Sequence, residues 1–314
     1  MNDVLVRVHW KIWEREEQML NGLPRLAQMW LVCLCIGGCG GDVSASHSAS
    51  STPTITSVPL ILRDNSALVS IRIANSDVPV QLDTGNFTSV SLSQEILDRA
   101  GAQAIDGVSE RIDAQGNKVE SPRFHIDRMQ LGNVVFNNVN VQLDVHAPSY
   151  QPYQIGQQGF LGTALLKGYR VIIDYPKQAM TLIPAQVPLK GTACQGTEVE
   201  FDEAWAGEPA TLIETDLGTL TVWWDTGAGG SALTKRFIEK AGRSDAQTVE
   251  SSRLLIGGDD FGPWTFQVWE NLVLPPGFDG FIGDDFFSNH VVCMDFPAKR
   301  LLVRKAPKQA SDRN

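Results

Sequence analysis

The tripeptide Asp-Thr-Gly stands at two places in the 314-residue chain, as Asp83-Thr84-Gly85 and Asp225-Thr226-Gly227. At this composition chance alone gives about 0.1 occurrences of such a triplet, and Asp and Gly are common turn formers, so a single copy would mean little. Two copies in matching surroundings mean more. Carboxyls delivered by equivalent turns can meet across a pseudo-twofold axis. Held that close they cannot both ionise cheaply, so they share one proton. One then acts as general base on a water between them, while the protonated one polarises a carbonyl. Such a pair hydrolyses an amide with no metal, no cofactor and no nucleophilic side chain.

The elements that must position these turns are repeated with them. Val78-Pro79-Val80-Gln81-Leu82 runs into the first triplet and Leu220-Thr221-Val222-Trp223-Trp224 into the second. Beyond each turn a short helix is expected, capped by Ser93 or Thr234 and stopped by Gly101 or Gly242. The copies meet again at Gly159-Phe160-Leu161-Gly162 and Gly280-Phe281-Ile282-Gly283. At an identical further spacing both then read Asp-aromatic-Pro, in Asp174-Tyr175-Pro176 and Asp295-Phe296-Pro297. The span from Asp83 to Gly162 is longer than that from Asp225 to Gly283. The surplus is expected in the loop-like segment 144–158. Alternation with period two, as in Val139-Asn140-Val141-Gln142-Leu143, dominates the body, and long helical stretches are missing. The body is mainly β.

These residues resemble the aspartic peptidases, and specifically a tandem fusion of two retropepsin-like units forming a bilobal, pepsin-like monomer. The similarity covers about residues 58–305. It implies an all-β acid-protease fold with two homologous lobes, residues 58–190 and 191–306, a cleft between them, and a peptide or protein substrate. By the family pattern Asp83 and Asp225 are the catalytic pair, Thr84 and Thr226 grip one lobe to the other, and Gly85 and Gly227 complete the turns. Gly162 and Gly283 close the loop behind each aspartate. A hairpin with Gln115, Gly116 and Asn117 at its tip lies where a first-lobe flap belongs, without the tyrosine of the pepsin pattern, and residues 256–262 are its counterpart. Both also fit ordinary surface hairpins. Trp223, Trp224, Trp264 and Trp269 fit either an apolar subsite or the core. After the triplets stand Asn86 and Ala228, where pepsins have Ser or Thr and retropepsins Ala. An Asn86 amide donating to Asp83 would hold the charge there and leave the proton on Asp225; alternatively Asn86 caps its own turn or faces solvent. A binding module on the same fold, a catalytically silent envelope lipoprotein, has no need of two costly paired carboxylates, and the intact triplets favour catalysis.

The rest of the chain bears on location and partners. Formal net charge is −10. Ahead of Cys39 the basic Arg7, Lys11, Arg15 and Arg25 balance the acidic Asp3, Glu14, Glu16 and Glu17, so the deficit sits on the body. Nucleic acid is excluded as a partner. No apolar run approaches the roughly 20 residues of a spanning helix. Residues 26–36 form an apolar signal core behind Arg25, and Ile36-Gly37-Gly38-Cys39 resembles the lipobox of bacterial lipoproteins, with Cys39 as the lipidated residue. Residues 1–39 then form a signal region and 40–57 a flexible Ser- and Thr-rich tether, with 307–314 as a tail. Gly40, rather than Asp, implies outer-membrane retention on the periplasmic side if the cell is Gram-negative. A plain cleaved signal or a short uncleaved anchor is the alternative. In an oxidising compartment Cys194 and Cys293 could pair, or remain two buried thiols. The five histidines show no metal-ligand spacing.

Overall fold

The computed structural model describes residues 54–113, 117–145, 155–188, 194–204, 207–243 and 246–307. The lipidation candidate Cys39, with the signal region and most of the tether, the flap candidates Gln115 and Gly116, and residues 308–314 lie outside the described residues.

Strands dominate, in three sheets. Each lobe holds one sheet in which the strand leading to an Asp-Thr-Gly turn lies parallel to a later, buried strand. Ser76–Leu82 pairs with Gly159–Leu161, and Gly218–Trp224 with Gly280–Ile282. The strand leaving each turn, Val90–Leu92 or Ala232–Thr234, pairs with the other side of that buried strand. The turn is therefore held between two strands of one ladder. The third sheet joins the lobes, in the order Thr56–Pro59, Ala179–Pro184, Tyr169–Asp174, His290–Asp295, Arg300–Lys305, Thr197–Glu200. Each half-chain supplies three of these strands, and the halves meet where Tyr169–Asp174 pairs antiparallel with His290–Asp295. One continuous apolar core runs through all three sheets, including Leu82, Leu161, Trp224, Ile282, Ile173 and Val292, each with no exposed surface. The fold is all-β and bilobal.

Three local expectations are corrected. The first strand begins at Thr56, within the expected tether, because Thr56 and Val58 are buried and pair with Leu182 and Met180. The helix Gln94–Ala100 lacks a side-chain cap: the Ser93 hydroxyl turns to Gln158 instead, although Gly101 stops the helix at φ 62° as expected. Thr234 does cap Lys235–Lys240, accepting from Phe237 N–H.

The third concerns the first copy's surplus length. Leu92 lies beside Leu143 and Leu233 beside Val268 in the two parallel pairs. The span from Leu92 to Leu143 already exceeds that from Leu233 to Val268 by most of the surplus, which therefore falls before Leu143, outside the expected loop. It lengthens the strands Gln103–Ile112, Lys118–Leu131 and Val134–Leu143. A lengthened ladder pairs its own added amides and carbonyls, which a long bare loop does not.

Cys194 is bonded to Cys293, with Cα atoms 5.6 Å apart, inside a small apolar cluster with Ile172, Ile183, Val291 and Leu302. The bond ties the entry of the second lobe to the joining sheet across a sequence separation of 99. For a loop of that length the chain-entropy account gives about 4.7 kcal/mol, and measured values are typically about 2–4 kcal/mol. Replacing Cys194 by Ala should lower the unfolding free energy by about 2–4 kcal/mol, read from urea titrations against the oxidised protein. An unchanged free energy would show that the bond carries no stability.

Candidate active site

Each Asp-Thr-Gly turn is fixed by its own sheet. Asp83 N–H donates to Leu161 O and Asp225 N–H to Ile282 O, both at 2.9 Å. The turns close with Asn86 N–H on Asp83 O and Ala228 N–H on Asp225 O. Thr84 and Thr226, fully buried, then reach across. Thr226 Oγ1 accepts from Thr84 N–H at 3.1 Å and donates to Leu82 O at 2.8 Å. Thr84 Oγ1 accepts from Thr226 N–H at 3.0 Å and donates to Trp224 O at 2.6 Å. Both hydroxyls thus serve as donor and acceptor at once.

This grip presses each turn against the opposite carboxyl. A Cβ added at Gly85 would stand 2.5 Å from Asp225 Oδ2, and one at Gly227 would stand 2.5 Å from Asp83 Oδ1. Only glycine fits there. Gly162 and Gly283 pack as closely behind, where a Cβ would strike the carbonyls of Asn86 and Thr88 or that of Gly230. The residues following them mirror one another: Thr163 N–H donates to Asn86 O and Asp284 N–H to Ala228 O.

The Asp83 and Asp225 carboxyls are hydrogen-bonded to each other and partly exposed. Removal from water pushes Asp83 well above the usual carboxylate range, and the Asp225 charge and the hydrogen bond to it add to the rise. The positive charge of Arg111 and the Gly85 N–H oppose it. Desolvation raises Asp225 too, but hydrogen bonds from Gly227 N–H, from Asp83 and from the Gly85 and Ala228 amides hold it down; the Gly227 bond is 2.7 Å. Both carboxyls are thus raised, and the pair holds one proton between them. Of the roles expected for Asn86, the structure shows the turn cap. Its side-chain oxygen accepts from Thr88 N–H at 3.0 Å and Thr88 Oγ1 at 2.7 Å, so Asn86 closes its own turn.

Around the pair, Ala228 belongs to an apolar cluster with Ala232 and Phe281, against which Trp223, Trp269 and Leu272 pack. Trp224 is core, its Nε1 donating to Thr211 Oγ1, and Trp264 packs on Phe286 and His290. The tryptophans divide between a wall beside the site and the interior. In the flap-candidate hairpin Asn117 N–H and Nδ2 donate to the two carboxylate oxygens of Asp113, which closes the turn. The second hairpin joins Leu254–Ile256 to Asp259–Asp260 through Gly257 and Gly258, both at positive φ. Among the described residues no group of three or more His, Cys, Asp or Glu side chains is placed to hold a metal ion.

Sequence reasoning missed Asp284. It has no exposed surface, and Tyr175 of the first lobe donates to its Oδ1 at 2.5 Å. Burial pushes its carboxyl up to about 8, and the Asp225 and Asp285 charges add to this against hydrogen bonds from Tyr175 and Ser66. The available signal was a break in the loop repeat, Gly162-Thr163 against Gly283-Asp284.

A carboxyl with a raised native value keeps its proton while the unfolded chain has lost it, so stability falls as pH rises from about 4 to about 8. The contribution approaches about 1.4 kcal/mol per pH unit within that window. Asp284→Asn should therefore lose less stability than the wild type between pH 5 and pH 8, in urea titrations at both. Equal losses would show that Asp284 is ionised in the native protein.

The geometry can be set beside known proteins. A family model described as aspartyl protease matches residues 69–164, which include the first Asp-Thr-Gly turn and Gly162. No curated protein sequence matches the chain. Among solved structures the chain is similar to the aspartic proteinase from Irpex lacteus, with a TM-score of 0.58 and 12% identity over 83% of this chain and 100% of that one. At that identity the likeness concerns the backbone alone. The chain has the bilobal, all-β fold of the pepsin-like aspartic proteinases.

Proposed function

We propose that the protein is an exported aspartic endopeptidase, built from tandem retropepsin-like units and held at the cell envelope by lipid on Cys39. The observation that carries the reading is the grip: buried reciprocal hydrogen bonds hold two carboxyls in mutual hydrogen-bond contact. A water between them would lose a proton to the Asp225 carboxylate as its oxygen attacks the peptide carbonyl carbon. Asp83 would give its proton to the carbonyl oxygen, leaving a tetrahedral diol. Breaking the C–N bond then needs one proton delivered to the leaving nitrogen, from the Asp225 carboxyl that has just gained one, while a diol hydroxyl gives its proton to the Asp83 carboxylate and the pair regains its starting state. The partly buried Trp223 and Trp269 with Phe281 offer an apolar wall for a substrate side chain. The disulfide supports export, because such bonds persist in oxidising compartments. The chain carries both aspartates, so the proposed working unit is a monomer.

Asp83→Asn and Asp225→Asn should each reduce kcat/KM on peptides by about 10³-fold or more, with the double variant little worse than either, because the pair acts as one unit. Retained thermal unfolding would show that the fold is intact. Full activity in either variant would overturn the peptidase reading. A wild type that binds peptides without cleaving them would instead support a binding module.

For location, Cys39→Ser should lose the acyl mass and either remain unprocessed or move to the soluble fraction, since each buried lipid CH₂ contributes about 0.8 kcal/mol of membrane affinity. Mass spectrometry finding an acyl-free mature N-terminus elsewhere would exclude the anchor.

A further inference from the structure

The hairpin of Gln103–Ile112 and Lys118–Leu131 sorts its charges by face. Strand alternation places Glu110, Lys118 and Glu120 together on the outer face, and Lys118 Nζ lies 2.9 Å from a carboxylate oxygen of each glutamate. All three side chains are more than half exposed there. Arg111 and its cross-strand partner Val119 face the other way; Val119 is buried and Arg111 partly so. Among the described residues the one hydrogen bond of Arg111 runs from Nη2 to Val145 O, at 2.6 Å, and it forms no ion pair with a carboxylate.

That single bond fixes where the guanidinium sits. Val145 directly follows Asp144, whose N–H donates to Leu92 O in the strand leaving the Asp83 turn. Leu143 lies beside Leu92 in the same parallel pair. Arg111 is thus moored to the edge of the Asp83 turn, and its positive charge acts on the Asp83 carboxyl. A guanidinium has five N–H donors in a rigid fork, and the Val145 carbonyl takes one of them. Glu110 and Glu120 are already matched to Lys118 on the far face, and Asp113 at the turn accepts from Asn117. Among the described residues the other donors have no partner, and a planar cation so placed suits bidentate recognition of a carboxylate. Such a cation beside the cleft also offsets the repulsion that a body of net charge −10 exerts on an acidic peptide.

We propose that Arg111 is a specificity-determining residue that selects peptides with an Asp or Glu side chain close to the scissile bond. The proposal rests on the peptidase reading above and adds a substrate class to it.

The test uses full-length protein in detergent and peptide pairs that differ only by Glu or Gln at each position near the scissile bond, on both sides of it. At one position the wild type should favour Glu over Gln by about tenfold or more in kcat/KM, the range of a hydrogen-bonded charge pair. Arg111→Gln should bring that ratio to about one, and Arg111→Lys should retain part of it, because it keeps the charge without the fork. Loss of the Val145 bond alone would not move a ratio between two peptides. Equal rates on Glu and Gln peptides at every position, or a preference that survives in Arg111→Gln, would overturn the assignment. If no peptide is cleaved, the peptidase reading fails separately. Calorimetry with statine-containing peptides carrying Glu or Gln then decides Arg111 by the same ratio, taken in Kd.

Discussion

The site depends on two threonine hydroxyls that each lobe lends to the other. Thr84 and Thr226 each pair a buried amide and a carbonyl of the opposite lobe. Parting the lobes at this point would orphan buried polar groups at about 1–3 kcal/mol each. Two ionised carboxylates about 4 Å apart repel by about 4 kcal/mol at an effective dielectric near 20. Four bonds outweigh that repulsion, so the carboxyls stay together and keep a proton rather than separate. Their closeness in turn requires Gly85 and Gly227, since any Cβ there would overlap the opposite carboxyl.

The frame is nearly twofold, but its two halves diverge away from the turns. The joining sheet is symmetric in strand order, yet only one of its Asp-aromatic-Pro corners is doubly countered: Asp295 meets Arg170 of the first lobe and Arg300 of its own, whereas Asp174 pairs with Lys177. The hairpin that follows the first turn is much longer than the second. That added length carries Arg111 to the Asp83 side. Symmetry sets the spacing of the carboxyls, and the departures from it set the charges around them.

Much of this was legible in the residues because repetition reports geometry. Two turns, two helices and two glycine loops at matched spacing left few ways to arrange the chain, and the strands, the grip and the glycine contacts lie where that pattern put them. What was not legible depended on contacts between distant segments. Ser93 could not be known to prefer Gln158 over its own helix. Nor could Asn86 be known to spend its oxygen on Thr88. Cys194 and Cys293 lie far apart in sequence, and only the joining sheet brings them within bonding distance. Asp284 and Arg111 look ordinary in sequence; burial against Tyr175 and a mooring at Val145 give them meaning. The first copy's surplus suggested a loop because the composition of 144–158 is loop-like, but ladder pairing absorbed most of it.

Three carboxyls, Asp83, Asp225 and Asp284, succeed one another from the cleft toward the joining sheet, and each acts on the next. Burial penalises charge on all three, so the question is which one keeps it. Asp225 receives amide hydrogen bonds from Gly227, Gly85 and Ala228 together with the Asp83 proton. Asp83 shares the Gly85 amide with it. Asp284 has the Tyr175 and Ser66 hydroxyls, which do not overcome its burial. Asp284 therefore stays neutral up to about 8, and the charge belongs to the Asp83–Asp225 pair, which holds one proton between its members. A neutral Asp284 then spares the pair a further repelling charge. The pair can sit so close because glycine turns admit the opposite carboxyl and leave their backbone amides free to point inward at it.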